Sequence, residues 1–219
     1  MSLQAKLDAF KSHFESKVAP PEVVEIFHRT TAELIASGQA ERSLKVGDIA
    51  PTFTLATAEG ELVSSTDMLE RGPLVVTFYR GAWCPYCNLD LQAIEEVTED
   101  IRSLGATLVS VSMQTAANSL KSQRQNKLSY PILVDEGGKT ADAFGIRFRL
   151  QDELIDAYKG FKVDLPDING EPSWTLPMPA RYVIAPDGTI AYAEVSPDYT
   201  QRPDPSELVA VLRRLKATV

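Results

Sequence analysis

Leu74-Val75-Val76-Thr77-Phe78-Tyr79-Arg80-Gly81-Ala82-Trp83-Cys84-Pro85-Tyr86-Cys87 is the stretch on which the reading of this chain turns. Leu74 to Tyr79 is β-rich and almost continuously apolar, the pattern of a central strand buried on both faces. Beyond Cys87, Leu91, Ile94, Val97, Ile101 and Leu104 recur at helical spacing, and Gly105 supplies the stop. The two cysteines therefore fall at a strand-to-helix junction. Pro85 suits an early helical position, where its missing N–H costs nothing.

Working outward, Thr107 to Val111 and Ile132-Leu133-Val134 read as further strands, separated by a polar helical stretch to Lys127 and followed by a short helix over Thr140 to Phe144. Tyr182-Val183-Ile184, the turn Ala185-Pro186-Asp187-Gly188 and Thr189 to Val195 form a β-hairpin, and a last helix opens at Pro205 or Ser206. On the other side, Glu59-Gly60 suits a hairpin turn between Leu55 and Leu62-Val63. Between these, Leu150, Leu154, Ile155 and Tyr158 suggest a helix. Asp164 to Pro179 holds four prolines and reads as an irregular loop, long enough to cover a site.

Two amphipathic helices precede all of this. Leu3, Leu7, Phe10 and Phe14 share one face, with Pro20-Pro21 as the stop, and Val23, Ile26, Phe27 and Leu34 share another, closed by Ser37-Gly38. The expected organisation is a helical extension over 1–43 and an α/β domain with a mixed sheet over 44–219. Packing on the domain's flank is the simplest role for the extension, and a dimer or partner surface is the alternative.

Composition limits the function. The 219 residues are 44% hydrophobic and 24% charged, as in ordinary globular proteins. Twenty-two Lys+Arg against 30 Asp+Glu leave a formal charge of −8, which argues against a nucleic-acid-binding face but not against a local cationic pocket. No segment reads as a signal peptide or membrane span, so a cytoplasmic protein without a membrane partner is expected. Two cysteines cannot staple a secreted scaffold.

The position of those cysteines carries the chemistry. A thiol on the first turn of a helix meets unpaired backbone N–H groups and the positive end of the helix dipole, and both favour thiolate, the nucleophilic form. Zinc needs four ligands, and beyond Cys84 and Cys87 there are only His13 and His28, both on the N-terminal helices. The same shortage weakens a Cys/His hydrolase, and inert core thiols would waste a junction where α/β folds expose functional groups. Thiol redox chemistry needs only the pair, and it requires neither metal nor organic cofactor.

Trp83-Cys84-Pro85-Tyr86-Cys87 after a strand resembles thioredoxin. The wider frame resembles the peroxiredoxins of the alkyl hydroperoxide reductase and thiol-specific antioxidant group. Gly47-Asp48-Ile49-Ala50-Pro51-Thr52-Phe53 is similar to that family's opening segment, Val75 to Tyr79 to the strand before its peroxidatic cysteine, and Arg181 to Ile190 to its strand with an active-site arginine. The resemblance covers about Leu44 to Val195 and implies a thioredoxin-like fold. Laid on the family's pattern, Cys87 takes the peroxidatic position, Cys84 replaces a threonine, and Arg80 replaces a proline. The resemblance implies Arg181 as the guanidinium that stabilises thiolate and polarises peroxide, and Pro179, with Pro177 close by, as a cis proline facing the cysteines. Arg80 is a second cation for the pair, or a partner for Glu95 or Glu96. Trp83 and Tyr86 suit an apolar rim.

Three functions follow. The first is a thiol peroxidase that reduces hydrogen peroxide or an organic hydroperoxide, closes a Cys84–Cys87 disulfide and is recycled by a thiol reductant such as thioredoxin or glutathione. The second is a thiol-disulfide oxidoreductase with Cys84 attacking, and the third a non-enzymatic redox sensor acting through the N-terminal helices. Peroxiredoxin logic selects Cys87 as the first nucleophile and thioredoxin logic selects Cys84. A homodimer is common in the family resembled.

Overall fold

The computed structural model describes residues 2–217. Its strands are β1 (Thr54–Thr57), β2 (Leu62–Ser64), β3 (Leu74–Phe78), β4 (Thr107–Ser112), β5 (Ile132–Val134), β6 (Arg147–Arg149), β7 (Thr175–Pro177), β8 (Ala180–Ile184) and β9 (Ile190–Val195). Its α-helices are α1 (Leu3–His13), α2 (Pro21–Ala36), α3 (Gln39–Arg42), α4 (Ser65–Leu69), α5 (Pro85–Glu95), α6 (Thr98–Ser103), α7 (Ala116–Asn126), α8 (Lys139–Ala143), α9 (Asp152–Gly160), α10 (Leu165–Asn169) and α11 (Ser206–Ala217). Seven strands form one sheet in the order β2-β1-β5-β4-β3-β8-β9. β4 runs parallel to both β3 and β5, while β1, β8 and β9 join antiparallel, giving the mixed sheet expected.

Every residue of β3 is buried, so its two side-chain rows serve different cores. Val75 and Tyr79 join Leu108, Ile132 and Val183 against α1, α5, α6 and α11. Leu74, Val76 and Phe78 join Val109, Val111, Leu133 and Tyr182 on the opposite face, against Met68, Ala141 and Phe144. This two-sided burial explains why the run lacks alternation. The register sets Ser110, Thr77 and Arg181 side by side across β4, β3 and β8, and the Thr77 and Ser110 hydroxyls lie 2.8 Å apart.

The N-terminal helices dock where the cysteines sit. Leu3 and Leu7 of α1 are buried in the same core as Tyr86 and Leu91 of α5. Before Pro20 the helix widens into a π-turn over Phe14–Val18, in which the Ala19 N–H donates to the Phe14 carbonyl at 2.9 Å. α2 then starts on Pro21 and stops at Gly38, whose φ of 66° suits glycine.

Two expectations need correction. The helical run after Cys84 is two helices, because Val97 leaves helical geometry (φ −110°, ψ 5°); the break still lets Ile94 and Ile101 face one core. Nor is 164–179 irregular. It contains α10 and then β7, which pairs Leu176 with Phe148 of β6. The prolines hid both elements, since Pro166 sits in the first turn of α10 and Pro177 lies in a two-stranded ribbon, where a missing donor is tolerated. Pro179 is trans, and no peptide bond among the described residues is cis. The chain passes extended from β7 into β8, with the Met178 N–H on the Ile146 carbonyl and the Ser196 N–H on the Pro179 carbonyl, both at 2.8 Å. No helix among the described residues is long and apolar enough to cross a membrane.

Candidate active site

Between β3 and α5 the chain turns through Gly81, with φ at 151°. A Cβ built there would lie 2.4 Å from Trp83 Nε1, so the absent side chain is what lets the backbone pass beneath the indole. Polar side chains clamp the turn: Ala82 N–H donates to Gln114 Oε1 at 2.9 Å, and Asn88 Nδ2 donates to the Ala82 carbonyl at 2.8 Å. Gln114 Nε2 in turn donates to the Tyr79 hydroxyl at 3.1 Å. Cys84 becomes the N-cap of α5, Pro85 opens the helix, and Cys87 completes its first turn. Both thiols are free and both are 0% exposed.

Three arginines and one carboxylate surround them. Arg80, only 3% exposed, brings Nη1 to 4.0 Å from Cys84 Sγ. Arg202 brings Nη2 to 3.7 Å from Cys87 Sγ. Asp90, one turn beyond Cys87 on α5, receives Arg181 Nη2 on Oδ1 and Arg202 Nε on Oδ2, the latter at 3.2 Å. Arg181 Nη1 also donates to the Pro203 carbonyl at 2.8 Å, and Arg202 Nη1 to those of Tyr199 and Gln201, both at 2.7 Å. One buried carboxylate thus answers two of the three guanidiniums.

The surplus positive charge falls on the sulfurs. Burial works to raise the Cys84 pKa, but the hydrogen bond from Cys87 and the charges of Arg80 and Arg202 outweigh it, bringing Cys84 down to about 6. For Cys87, burial and the neighbouring Cys84 anion act in one direction and push the thiol up, despite Arg202 and Arg80. The same surroundings therefore favour the thiolate at Cys84 and disfavour it at Cys87. For Arg202, burial opposes the charge, but Asp90 and the sulfurs hold it above its ordinary range.

Cys84 also faces a pocket of about 230 Å³. Arg80, Trp83, Pro85, Tyr86, Tyr199, Phe10, Phe14, Phe27, Tyr158, Phe161 and Val163 line it with Cys84. The Arg80 guanidinium carbon stands 4.0 Å from the Tyr199 ring centroid, 4.9 Å from Trp83 and 5.7 Å from Tyr158, and Nη2 donates to the Tyr158 hydroxyl. Three rings around one cation compensate part of its lost hydration, at roughly 0.5–2 kcal/mol each.

Cys84, Cys87 and Arg80 come together, and Trp83 and Tyr86 both line the pocket. Arg181 does not reach a sulfur: its guanidinium is turned to Asp90, and Arg202 occupies the place beside Cys87. Arg80 does not pair with Glu95 or Glu96, whose carboxylates take the Ser129 N–H and Lys6. Sequence reasoning missed Asp90, Arg202, Tyr158 and Tyr199. Asp90 had a signal, its position one turn after Cys87. Arg202 had none, because it lies in a coil, Pro197 to Pro205, that is anchored from afar, with Gln4 of α1 accepting the Arg202 N–H at 3.2 Å.

Comparison with known proteins identifies the fold and the family. Over 100 residues the chain is 32% identical to peroxiredoxin Q, chloroplastic, of Oryza sativa subsp. japonica, a match covering 46% of each. Over 103 residues it is 28% identical to peroxiredoxin Bcp of Escherichia coli (strain K12), covering 47% of this chain and 65% of that one. The matched stretch thus spans about half to two thirds of these relatives. The crystal structure of peroxidoxin BcpB from Mycobacterium tuberculosis shares the fold, with a TM-score of 0.62 at 21% identity over 78% of this chain and 97% of that one. The mixed sheet with helices on both faces is accordingly thioredoxin-like. The AhpC/TSA family matches residues 46–193, which include both cysteines, Arg80, Asp90 and Arg181, and the chain belongs to that family.

Proposed function

We propose that the protein is a thiol-dependent peroxidase in which Cys84 attacks first and Cys87 resolves. The observation that carries this reading is that Cys84 lines the pocket with Arg80 Nη1 4.0 Å from its sulfur, a setting that lowers its pKa. The Cys84 thiolate attacks the terminal oxygen of a hydroperoxide, the O–O bond breaks, and the terminal proton passes to the departing alkoxide. Sulfenate and an alcohol result. Cys87 then attacks the Cys84 sulfur, which releases hydroxide and closes the disulfide. Two thiol groups, from one dithiol reductant of the thioredoxin kind or two molecules of a monothiol such as glutathione, return the pair to thiolate and thiol and leave as a disulfide, with one proton released. Arg80 and Arg202 hold the charged forms, while Arg181 acts at one remove as a positioning residue on Asp90. A reducing cytoplasm suits this cycle.

Rapid mixing with peroxide under single-turnover conditions tests the order of events. Cys84→Ser should abolish the peroxide-dependent phase, whereas Cys87→Ser should form a sulfenate that a dimedone-type probe traps. The reverse pattern would restore the order implied by the family frame. A second reading, a thiol-disulfide oxidoreductase, draws on the same lowered Cys84. Reduction of insulin disulfides by a protein whose thiols ignore peroxide would select it.

A further inference from the structure

Part of the pocket in front of Cys84 comes from outside the matched family region of 46–193: Phe10, Phe14 and Phe27 of the N-terminal helices, and Tyr199. Phe10 of α1 stands edge-on to Tyr86 at 5.0 Å between centroids. Phe14, first residue of the π-turn, lies 6.1 Å from Phe27 of α2 and 5.6 Å from Phe161. A π-turn is rare and recurs at functional sites; here it begins at the residue that joins these two rings. Apart from the Cys84 sulfur, the residues around the void are apolar or aromatic except Arg80, which is 3% exposed and whose Nε has no hydrogen-bond partner. Such an orphaned donor is normally satisfied by something, and no carboxylate pairs with Arg80 among the described residues.

Resting on the peroxidase reading, we propose that α1, the π-turn and α2 form a specificity pocket for the compact apolar body of an organic hydroperoxide. Phe10, Phe14 and Phe27 hold the body, and Arg80 Nε–H donates to a peroxide oxygen above Cys84. A volume of about 230 Å³ falls below the roughly 300 Å³ at which drug-sized ligand sites begin. It suits an aryl or branched-alkyl group rather than a long chain. Hydrogen peroxide would have to shed its hydration to reach a thiolate walled by rings and recover only the Arg80 contact, whereas an apolar body gains from the same walls.

The test compares cumene hydroperoxide with hydrogen peroxide as oxidants of the reduced full-length protein, by second-order rate constants at one pH. The expected preference for cumene hydroperoxide is tenfold or more, falling toward parity in Phe14→Ala and Phe27→Ala. In parallel, 2-phenyl-2-propanol, the alcohol that cumene hydroperoxide leaves, should slow iodoacetamide alkylation of Cys84 in the parent protein but not in those variants. Phe14→Leu, which keeps apolar volume, guards against simple misfolding and should retain part of both effects. Equal rates with the two peroxides, or a preference untouched in folded variants, overturn the selection and leave the peroxidase reading standing. Protection by the alcohol without oxidation by either peroxide overturns both.

Discussion

Arg80 occupies the position where the family frame has proline, and its guanidinium stands 4.0 Å from Cys84 Sγ. Arg80→Leu should therefore move the pH midpoint of Cys84 alkylation upward from about 6 toward the ordinary 9, as read from iodoacetamide rates across pH. The sign for stability follows from the same shift. Because the folded pKa is depressed, the thiolate's contribution is complete above about pH 9, declines as pH falls, and is gone below about 6. Denaturant midpoints of the reduced protein, compared with Cys84→Ser between pH 6 and 9, should converge toward the acid end of that window. Asp90→Asn leaves two buried guanidiniums without their carboxylate and should cost about 3–5 kcal/mol in urea unfolding. At this scale the sequence was legible only where chemistry and chain position coincide. The cysteine pair announced itself, but Asp90 and Arg202 meet across 112 residues, and no local pattern encodes a contact of that span.

Elements were more legible, because periodicity is local. The buried β3, the β8–β9 hairpin, both N-terminal helices and α11 follow from apolar spacing and from their glycine and proline stops. The failures were places where another force decides: Val97 breaks a periodic run, and pairing with β6 makes β7 a strand despite Pro177. The docking of α1 was not legible either, since its apolar face says nothing about what covers it. Leu7, 0% exposed, anchors it against α5. Leu7→Ala should cost about 2–5 kcal/mol of stability and speed alkylation of Cys84 by loosening the wall above it, which calorimetry and iodoacetamide rates would report together. Gly81→Ala forces the Trp83 indole from its place over the turn. Trp fluorescence should shift, with Cys84 reactivity altered in the same variant.

Across the whole molecule, a surface that makes the net charge −8 encloses a site of the opposite sign, three buried arginines against Asp90. In the reduced protein the Cys84 thiolate supplies the second negative charge. A disulfide has none to offer, so oxidation leaves Arg80 buried among rings with no counter-ion, and the fold itself then favours the return of electrons. The Cys84–Cys87 couple should sit toward the oxidising end of the dithiol scale, as happens whenever the reduced form is the better solvated one. Two measurements read this: equilibration against glutathione, and a melting temperature that is higher for the reduced protein than for the oxidised one. A cross-link that lowers the melting temperature inverts the usual effect of a disulfide, and the cause would be one aromatic-boxed arginine rather than strain in the bond. The site would behave as a loaded spring, wound by each peroxide it consumes and released by the next thiol to reach it.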